Sequence, residues 1–426
     1  MTELKENKVL IVGGGLGGLI LANGLQKHGT NQINVQVFER DQTPDTRSQG
    51  YIIGLKPNGI EAIKESVSEE KFTRIEKLFK PGQFVISDRN LNVLMNLSSG
   101  NTINRGELRK ILMEGIDIKF GKRLRTYEEN EHGVSATFED NTSVEGDILV
   151  GADGVKSAVR QKKIPDFKFA NVNVYRIQAL IPNVDAEIFK AIFPTENGII
   201  IKTLGNVKNT IIFGRIKTFQ EAISFGLEKE EDDEEIDEDE QEEAQKSGEM
   251  ILVNYEWRPE PNTPLPQSKE QLLECMRKGT QSFNPLVIKL FNELAKPEHL
   301  IETKPVELTQ AEPYAKQPTS RVTLLGDSAH AMTSHAGIGA NTAMKSASDL
   351  AHTLVDIFIN KKPFIETLEA YEKQMITRGF QAIDISRSNT ERMHSSNVGV
   401  IGEAIRNTMM KFIVKLVDWG VIKLPN

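Results

Sequence analysis

The sequence predicts an α/β protein in which a parallel nucleotide-binding sheet is interrupted by an inserted antiparallel sheet and followed by a C-terminal helix. Three observations predict it. An apolar strand, a glycine turn, a helix and a second strand follow one another between Lys8 and Phe38. From Phe167 to Pro259 the pattern changes to longer strands separated by turns. A buried strand then returns at Arg321–Gly326, and from Gly337 the spacing of apolar residues is helical.

Taken in order, Lys8-Val9-Leu10-Ile11-Val12 is an apolar run ended by glycines. Leu16, Leu19, Ile20 and Leu25 recur at helical spacing up to His28-Gly29, and Ile33–Phe38 alternates as a strand stopping at Glu39. That β-α-β unit has the size of a mononucleotide-binding half, which makes the first domain Rossmann-like. After a link bearing Gly50, Gly54 and Gly59, a helix starts near Pro57. Residues 83–97 read as a hairpin turning at Arg89-Asn90. Residues 106–114 read as a helix, and 116–120, 134–138 and 144–150 as strands returning to the first sheet.

The second region supplies strands at Val172–Ile181, Gly198–Leu204, Thr210–Ile216 and Met250–Trp257, then helices near 268–278 and 285–295. The first domain is therefore discontinuous: 1–82, 98–165 and 313–400 on one side, 83–97 and 166–312 as the inserted sheet domain. Residues 401–426 are amphipathic, with Lys411, Lys415 and Asp418 breaking the apolar run, and read as a helix bridging the two domains. Contact with a membrane surface is the other use of such a helix.

Composition narrows the function. The formal net charge of −8 comes from one acidic run, 228–243, whose density of like charge predicts a solvated, disordered insert. Without it the body is slightly basic but carries no basic stripe, so nucleic acid is not an expected partner. No stretch is apolar for the roughly 18 residues a membrane span needs. The first residues, MTELKENK, lack a signal-peptide core, which predicts a soluble, cytoplasmic protein. The single Cys275 rules out an internal disulfide framework and cysteine zinc clusters, and reads as a core residue.

The sharpest motif is Gly13-Gly14-Gly15-Leu16-Gly17-Gly18, a G-x-G-x-x-G at Gly13, Gly15 and Gly18 that follows a strand and opens a helix. Gly13 permits the tight turn, Gly15 lets a pyrophosphate approach the backbone, and Gly18 lets helix and sheet pack closely. The helix N-terminus beginning at Leu16 offers N–H donors to phosphate. Glu39, closing the next strand and followed by Arg40, is placed to accept the ribose hydroxyls of a dinucleotide. This pattern alone serves NAD and FAD equally.

Two later segments separate the two cofactors. One is Gly146-Asp147-Ile148-Leu149-Val150-Gly151-Ala152-Asp153-Gly154, followed by Ser157 and Arg160. The other is Arg321-Val322-Thr323-Leu324-Leu325-Gly326-Asp327, running on to Gly337-Ile338-Gly339-Ala340-Asn341. It delivers Gly-Asp at a strand's carboxyl end, where open α/β sheets bind ligands.

Together the three segments resemble the class A FAD-dependent monooxygenases of the p-hydroxybenzoate-hydroxylase type, near the small members that oxidise tetracyclines. The resemblance implies a discontinuous FAD-binding domain with an inserted substrate domain. It further implies FAD as cofactor and NADPH or NADH as reductant, with one atom of O2 delivered to a small aromatic, polyketide or similar organic substrate. On matching positions, Glu39 is implied at the adenosine ribose, Arg105 and Arg109 at the FAD, and Asp153 beside it. Asp327 is implied at the ribityl chain or pyrophosphate, and Gly337, Gly339, Ala340 and Asn341 over the isoalloxazine. Arg47 is implied near the flavin or NADPH, and Tyr175 and Arg176 near the substrate. Ser334 and Ile338 depart from the family's proline and glutamine. His330 and His335 read as structural, and no metal is expected, because flavin hydroxylation needs none and the two histidines lack a plausible third ligand. A non-enzymatic or regulatory flavoprotein, and a flavin-dependent lipid reductase or epoxidase, are the alternatives.

Overall fold

Val9–Val12 are apolar without alternation because the strand they form lies at the centre of a parallel sheet covered on both faces. The structure, a computed structural model, describes residues 7–44, 52–194, 198–204, 209–216, 249–314, 317–394 and 399–418. Arg47 and the acidic run 228–243 lie outside the described residues. The strands are β1 (Asn7–Val12), β2 (Ile33–Phe38), β3 (Ile52–Leu55), β4 (Lys80–Asp88), β5 (Val93–Asn104), β6 (Ile118–Lys119), β7 (Leu124–Glu129) and β8 (Val134–Phe138). They continue as β9 (Ser143–Gly146), β10 (Ile148–Gly151), β11 (Phe169–Ile181), β12 (Gly198–Leu204), β13 (Asn209–Ile216), β14 (Met250–Trp257), β15 (Val306–Ala311) and β16 (Val322–Leu324).

The first sheet has the order β16-β10-β1-β2-β6 and every pairing is parallel. The helix Leu16–His28 buries Leu16, Leu19, Ile20, Leu21 and Leu25, each worth roughly 1.5–3 kcal/mol. It lies unusually close to the helix Gly339–Phe358: a Cβ on Gly24 would stand 2.7 Å from the Ala351 methyl. The strand at 134–138, expected in this sheet, instead forms a separate antiparallel sheet, β7-β8-β9. Its alternation of buried and half-buried residues suits a one-sided sheet, whereas β10 is buried throughout.

The second sheet has eight strands in the order β15-β11-β14-β13-β12-β4-β5-β3. It is mixed rather than purely antiparallel, because β12 runs parallel to β4. The hairpin β4–β5 thus joins a sheet whose other strands come much later in the chain, as the sequence division of domains expects. β3 and β15 are edge strands that the sequence pattern did not reveal. One face packs on the helices Lys269–Thr280 and Pro285–Lys289 through Phe189, Phe213, Tyr255 and Phe291.

The C-terminal helix spans Gly399–Asp418 within the described residues. Glu403 accepts from Arg89 Nε at 3.0 Å, which seats the helix on the β4–β5 hairpin. Ile405, Met409 and Phe412 remain exposed on its outer side. Among the described residues no helix is long and apolar enough to cross a membrane.

Candidate functional site

Three loops leave neighbouring parallel strands at their carboxyl ends: 13–15 after β1, 152–157 after β10 and 325–327 after β16. Parallel pairing in register therefore puts the three sequence motifs on one edge of one sheet. Gly13 has φ +113°, and a Cβ there would lie 2.2 Å from the Ala152 carbonyl oxygen. Gly18 is equally required by packing, since its Cβ would meet the Gly13 carbonyl at 2.1 Å. Gly15 differs from both. Its backbone is extended (φ −80°, ψ 179°), it caps the helix Leu16–His28, and a Cβ there would meet nothing within 4 Å. The helix N-terminus thus opens onto empty space that an anion can approach.

Around this opening the polar residues divide into holders and candidates for contact. Glu39 is buried, its Oε2 accepting from Gly14 N at 2.8 Å and Oε1 from Asp41 N at 3.1 Å. Arg109 donates from Nε to the Gly14 carbonyl and from Nη1 to the Pro44 carbonyl, both at 2.9 Å, so it clamps the glycine turn from behind. Arg40 follows Glu39 and is half-buried. Asp153 Oδ2 accepts from Ala158 N at 2.7 Å and starts the helix Ala158–Lys163, while its Oδ1 is buried with no hydrogen-bond partner. Burial pushes the Asp153 carboxyl up, against hydrogen bonds from Ser157 and the backbone. Arg160 ties this segment to the third loop, donating to the Ser328 and Val155 carbonyls at 3.2 and 2.6 Å.

Asp327 follows Gly326, whose φ of +63° and ψ of −144° are accessible essentially to glycine alone. The Asp327 side chain is exposed just beyond the carboxyl end of β16. Desolvation there pushes its carboxyl up, and the positive charge of Arg105 opposes the shift. Gly337 is left-handed (φ +63°) with open space at its Cβ position, and Gly339 begins the helix that Ala340 and Asn341 continue. The Asn341 side chain faces away from this opening. Its Oδ1 accepts from Lys56 N at 2.8 Å and its Nδ2 donates to the Gly54 carbonyl at 2.9 Å, stapling the helix to β3. Any contact from Asn341 to a ligand is left to its backbone.

An FAD fits this set of residues: open space before a helix N-terminus for the pyrophosphate, the Asp327 carboxylate at the end of β16, and an orphaned buried oxygen on Asp153. Tyr175 and Arg176 require correction as a pair. Adjacent residues of β11 point to opposite faces: Tyr175 pairs with Trp257, while Arg176 pairs with Glu256. Only Arg176 turns toward the glycine-rich turn, where its Nη2 donates to Ser334 Oγ at 3.2 Å. Polar residues line this face, Arg176 and Gln178 on β11 and Asn254 and Glu256 on β14, alternating along each strand with apolar residues of the opposite face, and that period-2 pattern was the available signal for it.

His330 sits in the core, as expected, with its pKa pushed down to about 4 by burial. His335 does not lie apart from other donors: Glu256 and His394 converge on it, so the third potential ligand absent from the local sequence is present in space. His394 is 59 residues further along the chain, beyond the reach of any spacing rule. Cys275 packs on the core of the second sheet, and burial raises its thiol to about 11.

Residues 6–255 and 295–386 match the FAD binding domain family. Over 408 residues the chain is 28% identical to the dual O-methyltransferase/FAD-dependent monooxygenase CTB3 of Cercospora beticola, covering 90% of this chain and 46% of that protein. The chain spans less than half the length of the curated relatives it matches first. A solved structure from Photorhabdus luminescens subsp. laumondii superposes with a TM-score of 0.73 at 25% identity, covering 91% of this chain and 98% of that one. HpxO of Klebsiella pneumoniae, solved with FAD and uric acid, shares the fold with a TM-score of 0.71 at 18% identity, covering 96% and 94%.

Proposed function

The chain belongs to the FAD binding domain family, and from that premise we propose that it is an FAD-dependent monooxygenase. It takes NADPH or NADH as reductant and O2 as oxidant, and acts on a small aromatic, polyketide or similar organic molecule. The observation that carries this reading is the edge of the first sheet. There the open helix N-terminus at Gly15 and the exposed carboxylate of Asp327 stand at the carboxyl ends of β1 and β16, and Arg176 of the second sheet reaches the following turn at Ser334.

When bound, FAD supplies the redox chemistry, accepting hydride and activating O2. The protein's contribution is binding, orientation and exclusion of water. Gly15 and the N–H groups from Leu16 onward hold the pyrophosphate. Glu39 keeps the glycine turn in shape through Gly14 N and has acceptor capacity left for the ribose hydroxyls. Asp327 takes the ribityl chain or pyrophosphate side, with Arg105 balancing its charge. The turn at Gly337–Gly339 and the helix dipole behind it favour negative charge at the ring's pyrimidine end. Arg176 faces the substrate, and Arg47, outside the described residues, is assigned to the reductant.

The test is to purify the protein and release its cofactor by heat, then to screen aromatic and polyketide compounds for those that accelerate NADPH or NADH oxidation. About one FAD per chain and a compound-dependent rate with oxygenated product are expected. FAD without any oxidation of either nicotinamide, or without peroxide or product across the panel, refutes the enzyme in favour of a non-enzymatic flavoprotein.

A further inference from the structure

The face of the second sheet turned away from the helices Lys269–Thr280 and Pro285–Lys289 carries two primary amides in contact. Ile177 and Ala179 of β11, and Val253 and Tyr255 of β14, enter the core against those helices. Alternation along each strand therefore turns Gln178 and Asn254 to the opposite face, beside Arg176 and Glu256. Gln178 and Asn254 stand directly opposite each other in the register, and Ile212 of β13 is the neighbour of Asn254 on its other side. Gln178 Nε2 donates to Asn254 Oδ1 at 2.8 Å. All three residues are half-buried.

A neutral amide offers two N–H donors and one acceptor oxygen. The contact spends one donor of Gln178 and part of the capacity of the Asn254 oxygen. What remains is the Gln178 oxygen, an acceptor, and the Asn254 nitrogen, a donor. Turning both amides over reverses the contact and still leaves one acceptor beside one donor. Among the described residues no further side chain hydrogen-bonds to either amide group. A ligand that matches both functions replaces their water without loss, whereas one that matches neither strands them on a half-buried surface.

The charges around the pair are matched or negative. Arg176, two residues back along β11 and so roughly 7 Å away, holds Glu256 at 3.2 Å. Glu302 Oε2 accepts from the Gln178 backbone N–H at 3.3 Å. A neutral group suits this position better than an anion. Arg176 also marks a direction, because its Nη2 donates to Ser334 Oγ at 3.2 Å. The row next to the amides thus touches the turn that leads into Gly337–Asn341.

We propose that Gln178 and Asn254 are specificity-determining residues that read a cyclic amide edge of the substrate, the C=O and N–H of a lactam or imide ring. In such a ring the two groups lie side by side and point the same way, so both meet the pair at once. An aryl ketone with an ortho hydroxyl has the same two functions, but its hydroxyl turns onto its own carbonyl. Ile212 supplies apolar contact to the ring that carries the edge. The inference rests on the monooxygenase reading for the place of the substrate; the donor and acceptor belong to the two side chains themselves.

The test measures dissociation constants by calorimetry on FAD-loaded protein with three two-ring probes: 2-quinolone, N-methyl-2-quinolone and 2,3-dihydroxynaphthalene. Wild type should bind 2-quinolone at least about tenfold more tightly than its N-methyl derivative, which lacks the donor. Gln178→Met and Asn254→Leu should each abolish that preference, with FAD content and Tm showing that the variants fold. Asn254→Asp keeps the shape and serves where the others do not fold. At pH 8 an ordinary aspartate, with a pKa of about 3.9, is ionised. The pair then presents two acceptors, so the order should reverse in favour of 2,3-dihydroxynaphthalene, which brings two donors. Wild type that binds none of the probes, or binds both quinolones equally, overturns the proposal. So does a preference that survives the substitutions, or an Asn254→Asp protein that ranks the probes as wild type does. None of these readouts needs turnover. A lactam preference that follows the substitutions, with no oxidation of NADPH or NADH by any compound, refutes the monooxygenase reading alone. Compound-dependent oxidation without that preference refutes the specificity reading alone.

Discussion

Replacing Gly15 by valine should separate the fold from its cofactor. The backbone there is extended, a conformation any residue adopts, and the Cβ direction is empty to 4 Å. The change should therefore cost the apoprotein only about 1 kcal/mol, the difference between glycine and valine as a helix N-cap. The same empty space is where phosphate oxygens would meet the helix N–H groups. Charge-assisted bonds of that kind contribute about 1.5–3 kcal/mol each, so displacing two of them weakens FAD by roughly 3–6 kcal/mol, a factor of at least a hundred. The assay is flavin absorbance per chain after gel filtration, with melting temperatures compared between apoproteins because bound FAD itself raises Tm. Gly18→Ala is the control, since its Cβ would stand 2.1 Å from the Gly13 carbonyl and the variant should lose stability before any question of ligand arises. A fully yellow Gly15→Val, or one whose apoprotein melts as low as Gly18→Ala, would refute the reasoning.

Asp327→Asn should make the apoprotein more stable than wild type at pH 7–8. The folded state raises this carboxyl, so ionising it costs stability as pH climbs, and the gap should narrow as pH falls; thermal melts across pH 4–8 check the sign. Asn341→Ala should cost about 2–4 kcal/mol in urea unfolding, because it leaves Lys56 N and the Gly54 carbonyl without their partner. Deleting 228–243 should leave Tm and flavin content nearly unchanged: β13 and β14 pair directly at Ile216–Met250, and roughly halving their connection alters closure by only about 0.6 kcal/mol. A fall of several degrees would show that the acidic run packs.

The β-α-β unit was legible because each of its signals is local: an apolar run, glycines at fixed offsets, helical spacing. Arg109 and Asp153 were found by motif, but their geometry makes them largely holders of the loops. Whether a residue touches a ligand or its support depends on rotamer and packing, which spacing does not encode. Tyr175 and Arg176 show the same limit on a strand. Alternation says that the two face opposite ways, but not which faces the cleft until β14 is in register beside them. β3 and β7 escaped because short, half-buried segments carry little periodicity. The Glu256–His335–His394 cluster was invisible for a stronger reason: its members come from separate elements that meet only once both sheets exist.

The parallel pairing of β12 with β4 bears on how the chain is made and how it can be cut. β4 waits for residues 198–204 before it gains its inner neighbour, and β10 waits for residues 322–324 before its edge is covered. Neither sheet closes on the ribosome until most of the polypeptide has emerged, so folding is dominated by distant partners and should be slow. A truncated nucleotide-binding half, such as residues 1–165, would carry the bare edge of β10 and an unpaired side of β4, two templates for association with other chains. Expression of that fragment should yield aggregates, whereas co-expression with the remaining piece, which restores both missing strands in trans, is the arrangement with a physical route to soluble protein.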